Sequence, residues 1–168
     1  MKKELKKEAR LLHTSNMMSL TSGEVKELLP YLVVVMKGPA KNSKRVVIGL
    51  DWSSDIEKDR ITEKVRDYVI SLGDNIRLMI FSSEMWFTKF DKDYGKDRVL
   101  QEPRPRDNPN RKEGLLTTAF TPDFRNTYTI TQEMVRVKDK ITFEEEVVLR
   151  NKDAEMFILE RMTGLHVN

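Results

Sequence analysis

There is no cysteine among the 168 residues of this chain. That single absence removes disulfides, thiol nucleophiles, iron–sulfur clusters and cysteine-ligated zinc together. With no disulfide framework to suggest secretion, the cytoplasm is the expected location. Histidine is almost as scarce. His13 and His166 stand near opposite ends, and neither has a partner at triad or metal-ligand spacing; both read as solvated tail residues. Glycine occurs 7 times without a phosphate-cradling run, and Gly38-Pro39 is a turn signal. The longest apolar run, Tyr31 to Met36, is far too short to cross a bilayer. Met1 to Glu8 is rich in lysine, but no apolar stretch of signal-peptide length follows it. These absences lead to the expectation of no membrane association, no cofactor and no metal.

What is present is charge. Charged residues make up 34% of the chain and hydrophobic ones 39%, yet clean apolar runs persist, which indicates a folded core under a charged surface. A chain of this length reads as one domain, able to bury roughly 70% of its unfolded surface. The net charge of +3 comes from 30 basic and 27 acidic residues that are interspersed nearly everywhere. A dedicated nucleic-acid protein segregates its charge more strongly.

Residues 2–13 read as a short charged helix with a thin stripe of Leu5, Ala9 and Leu12, and His13 to Leu20 as a polar linker. Residues 1–20 are therefore expected to form a loosely docked arm, and residues 21–168 the domain proper. Thr21-Ser22-Gly23-Glu24 has the form of a capping box opening a short helix that Pro30 stops. Tyr31–Met36 is apolar on both parities, as in a strand buried on both faces, and Arg45–Leu50 makes a hairpin with it. Ser54-Asp55-Ile56-Glu57 is a second capping box. Behind it Ile61, Val65, Tyr68, Val69 and Leu72 keep helical spacing up to Gly73.

A third strand, Ile76 to Thr88, is also apolar on both parities in its middle. Further strands are expected over 113–120, 127–137 and 141–150. Thr127, Thr129 and Thr131 share one parity as on a solvated sheet face, and Pro122-Asp123 marks a turn. Residues 152–163 fit a closing helix, or else an edge strand. The order of elements predicts an α+β domain with a mixed or mostly antiparallel sheet of about six strands and helices packed on one face.

The candidate site lies where the third strand ends. Ile80, Ser82, Glu84 and Trp86 share one face of that strand, and an unpaired carboxylate there is costly. The following stretch, Lys89 to Lys112, is long, charged and carries Pro103, Pro105 and Pro109; a loop of that length is usually functional or disordered. Arg111 within it is the expected partner of Glu84, since a guanidinium fork meets a carboxylate bidentately. Trp86 near Arg104, Arg106 and Arg111 suggests cation–π contacts or base stacking. Trp52, like Trp86, ends an apolar strand and reads as a core lid. Asp51 and Asp55 flank Trp52 and Glu113 lies beyond the loop, so Asp51, Glu84 and Glu113 are the candidate set for a metal-dependent phosphodiesterase. The Asp and Glu-x-Lys spacing of such nucleases is missing, and Glu144-Glu145-Glu146 points to alternating faces.

Two pieces of this block, Ser83-Glu84-Met85-Trp86 and Pro105-Arg106-Asp107-Asn108-Pro109-Asn110-Arg111-Lys112-Glu113, resemble a group of short, uncharacterised prokaryotic proteins. These share a Ser-Glu-x-Trp strand end and a Pro-x-x-x-Pro-x-Arg-x-Glu loop. The likeness covers roughly the middle quarter of the chain, and Met85 stands where alanine is common. It implies that Glu84, Trp86, Arg111 and Glu113 act as one constellation, and it implies no activity.

The resulting expectation is a cytosolic binding or regulatory protein without catalytic activity. It meets a protein partner through Trp86 and the 89–112 loop, with Arg104, Arg106 and Arg111 as contact residues. The alternatives are a metal-dependent phosphodiester hydrolase using Glu84, Glu113 and Asp51, and a nucleic-acid-binding protein using the basic loop.

Overall fold

The computed structural model describes residues 1–38, 43–50, 54–87 and 111–150. They form helix α1 (Lys2–Thr21), strands β1 (Tyr31–Met36) and β2 (Arg45–Gly49), and helix α2 (Asp55–Leu72). Strands β3 (Ile76–Phe87), β4 (Lys112–Phe120), β5 (Thr127–Val137) and β6 (Lys140–Arg150) follow. The strands make one sheet in the order β2-β1-β3-β4-β5-β6, with every neighbouring pair antiparallel. The fold is α+β as expected, and the expected mixed or mostly antiparallel sheet of about six strands is a six-stranded, antiparallel one. Because β1 pairs with both β2 and β3, those two strands run the same way on either side of it, and α2 is the crossover between them. Residues 152–163, Trp52 and Asp51 lie outside the described residues, as do Arg104, Arg106 and all of the 89–110 stretch.

The apolar residues on both parities of β1 and β3 explain the layering. Leu32 and Val34 with Met79 and Phe81 form one core with Val65 and Val69 of α2. Val33 and Val35 with Leu78 and Ile80 form another with Leu5 and Ala9 of α1. A sheet apolar on both faces needs cover on both. The helices therefore take opposite faces, where one shared face was expected. α2 begins as its capping box dictates, with Ser54 Oγ accepting from the Glu57 N–H at 3.2 Å. It ends at Gly73, whose φ of 56° lies in a region where only glycine is free of strain.

The N-terminal arm is the main departure from expectation. α1 runs without interruption to Thr21 and is fully docked, burying Leu5, Ala9, His13, Asn16 and Leu20. Those positions follow one another at intervals of four, four, three and four, a single helical face. The face was hidden in the sequence because its third and fourth members are polar. The expected helix after Thr21 is absent. Thr21 Oγ1 donates to Met17 O within α1, and Ser22 Oγ accepts from the Glu24 N–H in an irregular strap that leads to β1. Val25 and Leu28 of this strap pack on Leu20, Leu115, Met134 and Ile141.

β6 carries a second surprise. Gln132 pairs with Glu146 and Met134 with Phe143, so Glu144 and Glu145 together oppose a single residue of β5. This is a bulge, and it inverts the face presented by every residue beyond it. Val148 and Glu146 thus join Ile141 and Phe143 on the side of α1, while Val147 is exposed. Of the three β5 threonines expected on a wet face, Thr127 and Thr129 are buried, Thr129 sharing a 3.0 Å hydroxyl contact with Thr118, while Thr131 is partly exposed.

Candidate functional site

Two polar clusters lie on the α1 side of the sheet, one beneath α1 and one at the open end of β3. The first is a chain of hydrogen bonds joining α1 to four strands. His13 is 2% exposed. Its Nδ1 lies 2.9 Å from Thr117 Oγ1 of β4, and its Nε2 lies 3.0 Å from Gln132 Oε1 of β5. The Gln132 amide nitrogen donates to Glu144 O at the bulge, at 2.7 Å, and this turns its oxygen toward the ring. Nε2 of His13 therefore carries the proton, and Nδ1 accepts from the Thr117 hydroxyl. Thr117 Oγ1 is also 3.0 Å from Ser82 Oγ of β3, which donates to Leu116 O at 3.1 Å. Ser82 accepts from Asn16 Nδ2 at 2.9 Å, and the Asn16 amide exchanges hydrogen bonds with the Tyr31 hydroxyl of β1 at 2.8 and 3.0 Å.

Every member of this chain is satisfied by its neighbours, as burial demands. Burial pushes the His13 imidazole below its ordinary pKa of 6.5, and the Gln132 contact only partly opposes this. Burial likewise raises the Tyr31 phenol, with Asn16 pulling the other way. Around the rim, α1 makes ion pairs through Glu4 to Arg77, Glu8 to Arg45 and Arg10 to Glu146. The Arg10 guanidinium is also 3.3 Å from the Tyr128 hydroxyl. His13 was expected in solvent, and nothing in its immediate sequence marks it otherwise. The available signal was the resumption of apolar residues at Met17 and Leu20, in phase with Leu5 and Ala9.

The second cluster contains the residues singled out from sequence. Glu84 is paired, but with Arg136 of β5 and not with Arg111: Arg136 Nη2 lies 3.0 Å from Glu84 Oε1. The same guanidinium meets Glu113 Oε2 through Nε at 2.9 Å and donates from Nη1 to Lys26 O of the strap at 3.0 Å. Register explains the choice. Glu84 lies opposite Leu115, Trp86 opposite Glu113, and Glu113 opposite Met134. Arg136 stands two residues beyond Met134, on the same face as both carboxylates.

Burial pushes the Glu84 carboxyl above its usual pKa of 4.5. The Leu28 N–H and Arg136 draw it back, and the nearby Glu27 and Glu113 add to the rise. Arg111 lies instead over the Trp86 ring, its guanidinium carbon 4.6 Å from the ring centroid. Trp86 itself is 45% exposed, so it does not seal the core as a lid would.

The structure thus brings Glu84, Glu113, Trp86 and Arg111 to one end of the sheet and adds Arg136, which sequence reasoning missed. Glu84 and Glu113 converge on a guanidinium. Among the described residues no group of three or more histidine, aspartate or glutamate side chains is placed to hold a metal ion. Nor, among them, is any helix long and apolar enough to cross a membrane. Compared with protein-family models, curated proteins and solved structures, the chain matches none.

Proposed function

We propose that this chain is a cytosolic, non-catalytic binding protein that meets a protein partner through Trp86, Arg111 and the adjoining 89–112 stretch. The observation that carries this reading is an indole 45% exposed at the end of a buried strand, with a guanidinium over its ring. Tryptophan and arginine are the residues most enriched at the energetic centres of protein interfaces. The ground beneath them is held by Arg136, which ties β3, β4, β5 and the strap together. The polar groups assembled elsewhere on this side of the sheet are occupied by one another, an arrangement suited to structure and not to turnover. The Ser-Glu-x-Trp and Pro-x-x-x-Pro-x-Arg-x-Glu likeness enters the proposal as a shared binding surface.

A photo-crosslinking residue placed at Trp86 tests this, with one at the exposed Val47 of β2 as control. The reading expects a discrete protein adduct from position 86 alone, lost in Arg111→Ala. Equal adducts from both positions, or none from either, would remove it. The arginine on the indole also favours a second reading, in which single-stranded nucleic acid stacks there. That reading requires oligonucleotide affinity that falls steeply with salt, and no binding even at low salt would end it.

A further inference from the structure

The interface of α1 with the sheet differs in kind from that of α2. α2 buries Val65 and Val69, and its buried polar residue, Thr62, is satisfied within the helix by Lys58 O at 2.6 Å. α1 buries a histidine and an asparagine whose hydrogen bonds all cross to the sheet. We propose that His13 is a proton-operated latch: α1 is held on the sheet while the imidazole is neutral and is released when it becomes an imidazolium.

The geometry supplies the reasons. Both ring nitrogens face neutral partners, Thr117 on β4 and Gln132 on β5, and the β3 and β1 members of the chain, Ser82 and Tyr31, are neutral as well. Among the described residues the charged groups facing the ring are Glu146 from β6 and Arg10 from α1 itself. They are bonded to each other, so the pull of Glu146 toward an imidazolium is offset in large part by the repulsion from Arg10, and burial remains the dominant influence on the ring.

Protonation at Nδ1 turns the Thr117 hydroxyl away from the ring and toward Ser82. Ser82 then accepts from both Thr117 and Asn16 and still donates to Leu116 O, so only the Thr117 proton moves and no hydrogen bond among the neutral partners is lost. What opposes the charge is its removal from water. Undocking restores that water, and the glutamates and arginines of the rim are hydrated at little cost because they are partly exposed already. A pH fall into the imidazole range therefore loosens α1 selectively and leaves the apolar seat of α2 intact.

Amide hydrogen exchange on the intact chain, corrected for the intrinsic pH dependence of exchange, provides the test. From about pH 7.5 to about pH 5, protection of the α1 amides should fall about tenfold or more while that of α2 holds, and in His13→Gln the α1 protection should not change with pH. Protection lost equally from both helices, or a loss that persists in His13→Gln, overturns the proposal. Should His13→Gln undock α1 at neutral pH, proton NMR of the wild-type His13 ring decides. Titration coincident with α1 release supports the latch, and titration in the ordinary histidine range with α1 still docked refutes it.

Discussion

Asn16 and Tyr31 offer the sharpest energetic test of how α1 is held. The Asn16 amide nitrogen is 2.8 Å from the Tyr31 hydroxyl and 2.9 Å from Ser82 Oγ, and the Tyr31 hydroxyl returns a hydrogen bond at 3.0 Å. Asn16→Ala removes these bonds and leaves a partly buried phenol without its partner. A net hydrogen bond is worth about 1 kcal/mol and an orphaned buried group costs about 1–3 kcal/mol, so the variant should lose ~2–3 kcal/mol. Tyr31→Phe removes the phenol and leaves two hydrogen bonds of the Asn16 amide unmade, one at its nitrogen and one at its oxygen, costing ~1–3 kcal/mol.

In the double variant nothing is left orphaned between the two positions. It should therefore be less destabilised than the sum of the singles by ~1–1.5 kcal/mol. Urea unfolding of the four proteins measures this, and the Asn16→Ala melting point should drop by roughly 5–10 °C. Strict additivity would refute the reasoning, because it would mean the two side chains do not share a bond.

The remaining predictions concern the other charged and titratable groups. Arg136→Ala should cost ~1–2 kcal/mol, because it leaves Glu84 and Glu113 without their shared cation, whereas Arg111→Ala should cost under ~1 kcal/mol from an exposed cation–π contact; equal unfolding midpoints would contradict the pairing. Arg45→Ala breaks an ion pair at the surface and should change stability by ~0–1 kcal/mol, checked by the same urea series. Stability should also depend on pH through His13. Its folded pKa lies below 6.5, so the folded chain binds fewer protons than the unfolded one, and stability is full above that value and lost as pH falls through it. Glu84 acts in the opposite sense, because its raised pKa gives a contribution present below 4.5 and lost as pH rises. Unfolding curves from about pH 5 to about pH 8 should flatten in His13→Gln, and unchanged curvature would assign the dependence to another group.

Which parts of this structure were legible in the sequence follows from how local their causes are. β1 and β3 were readable because a short run apolar on both parities is stable only in a strand covered on both faces, and α2 because Ser54, Glu57 and Gly73 punctuate it locally. α1 was not, because its docking face continues through His13 and Asn16, whose burial depends on Thr117, Gln132, Ser82 and Tyr31 arriving from distant strands. The need of Glu84 for a cation was visible, but not which cation. Arg111 is close along the chain to Glu113, while Arg136 is brought alongside by the register of two successive strand pairs. The bulge at Glu144 and Glu145 carries no local marker and decides that Glu146 turns toward Arg10.

The most direct measurement is a nuclear Overhauser contact at neutral pH between the His13 ring and the side chains of Thr117 and Gln132. A docked α1 requires cross-peaks to both, with the ring proton on Nε2. A His13 ring without either contact, titrating like a free histidine, would return residues 1–20 to a loose arm and remove the basis of the proton latch.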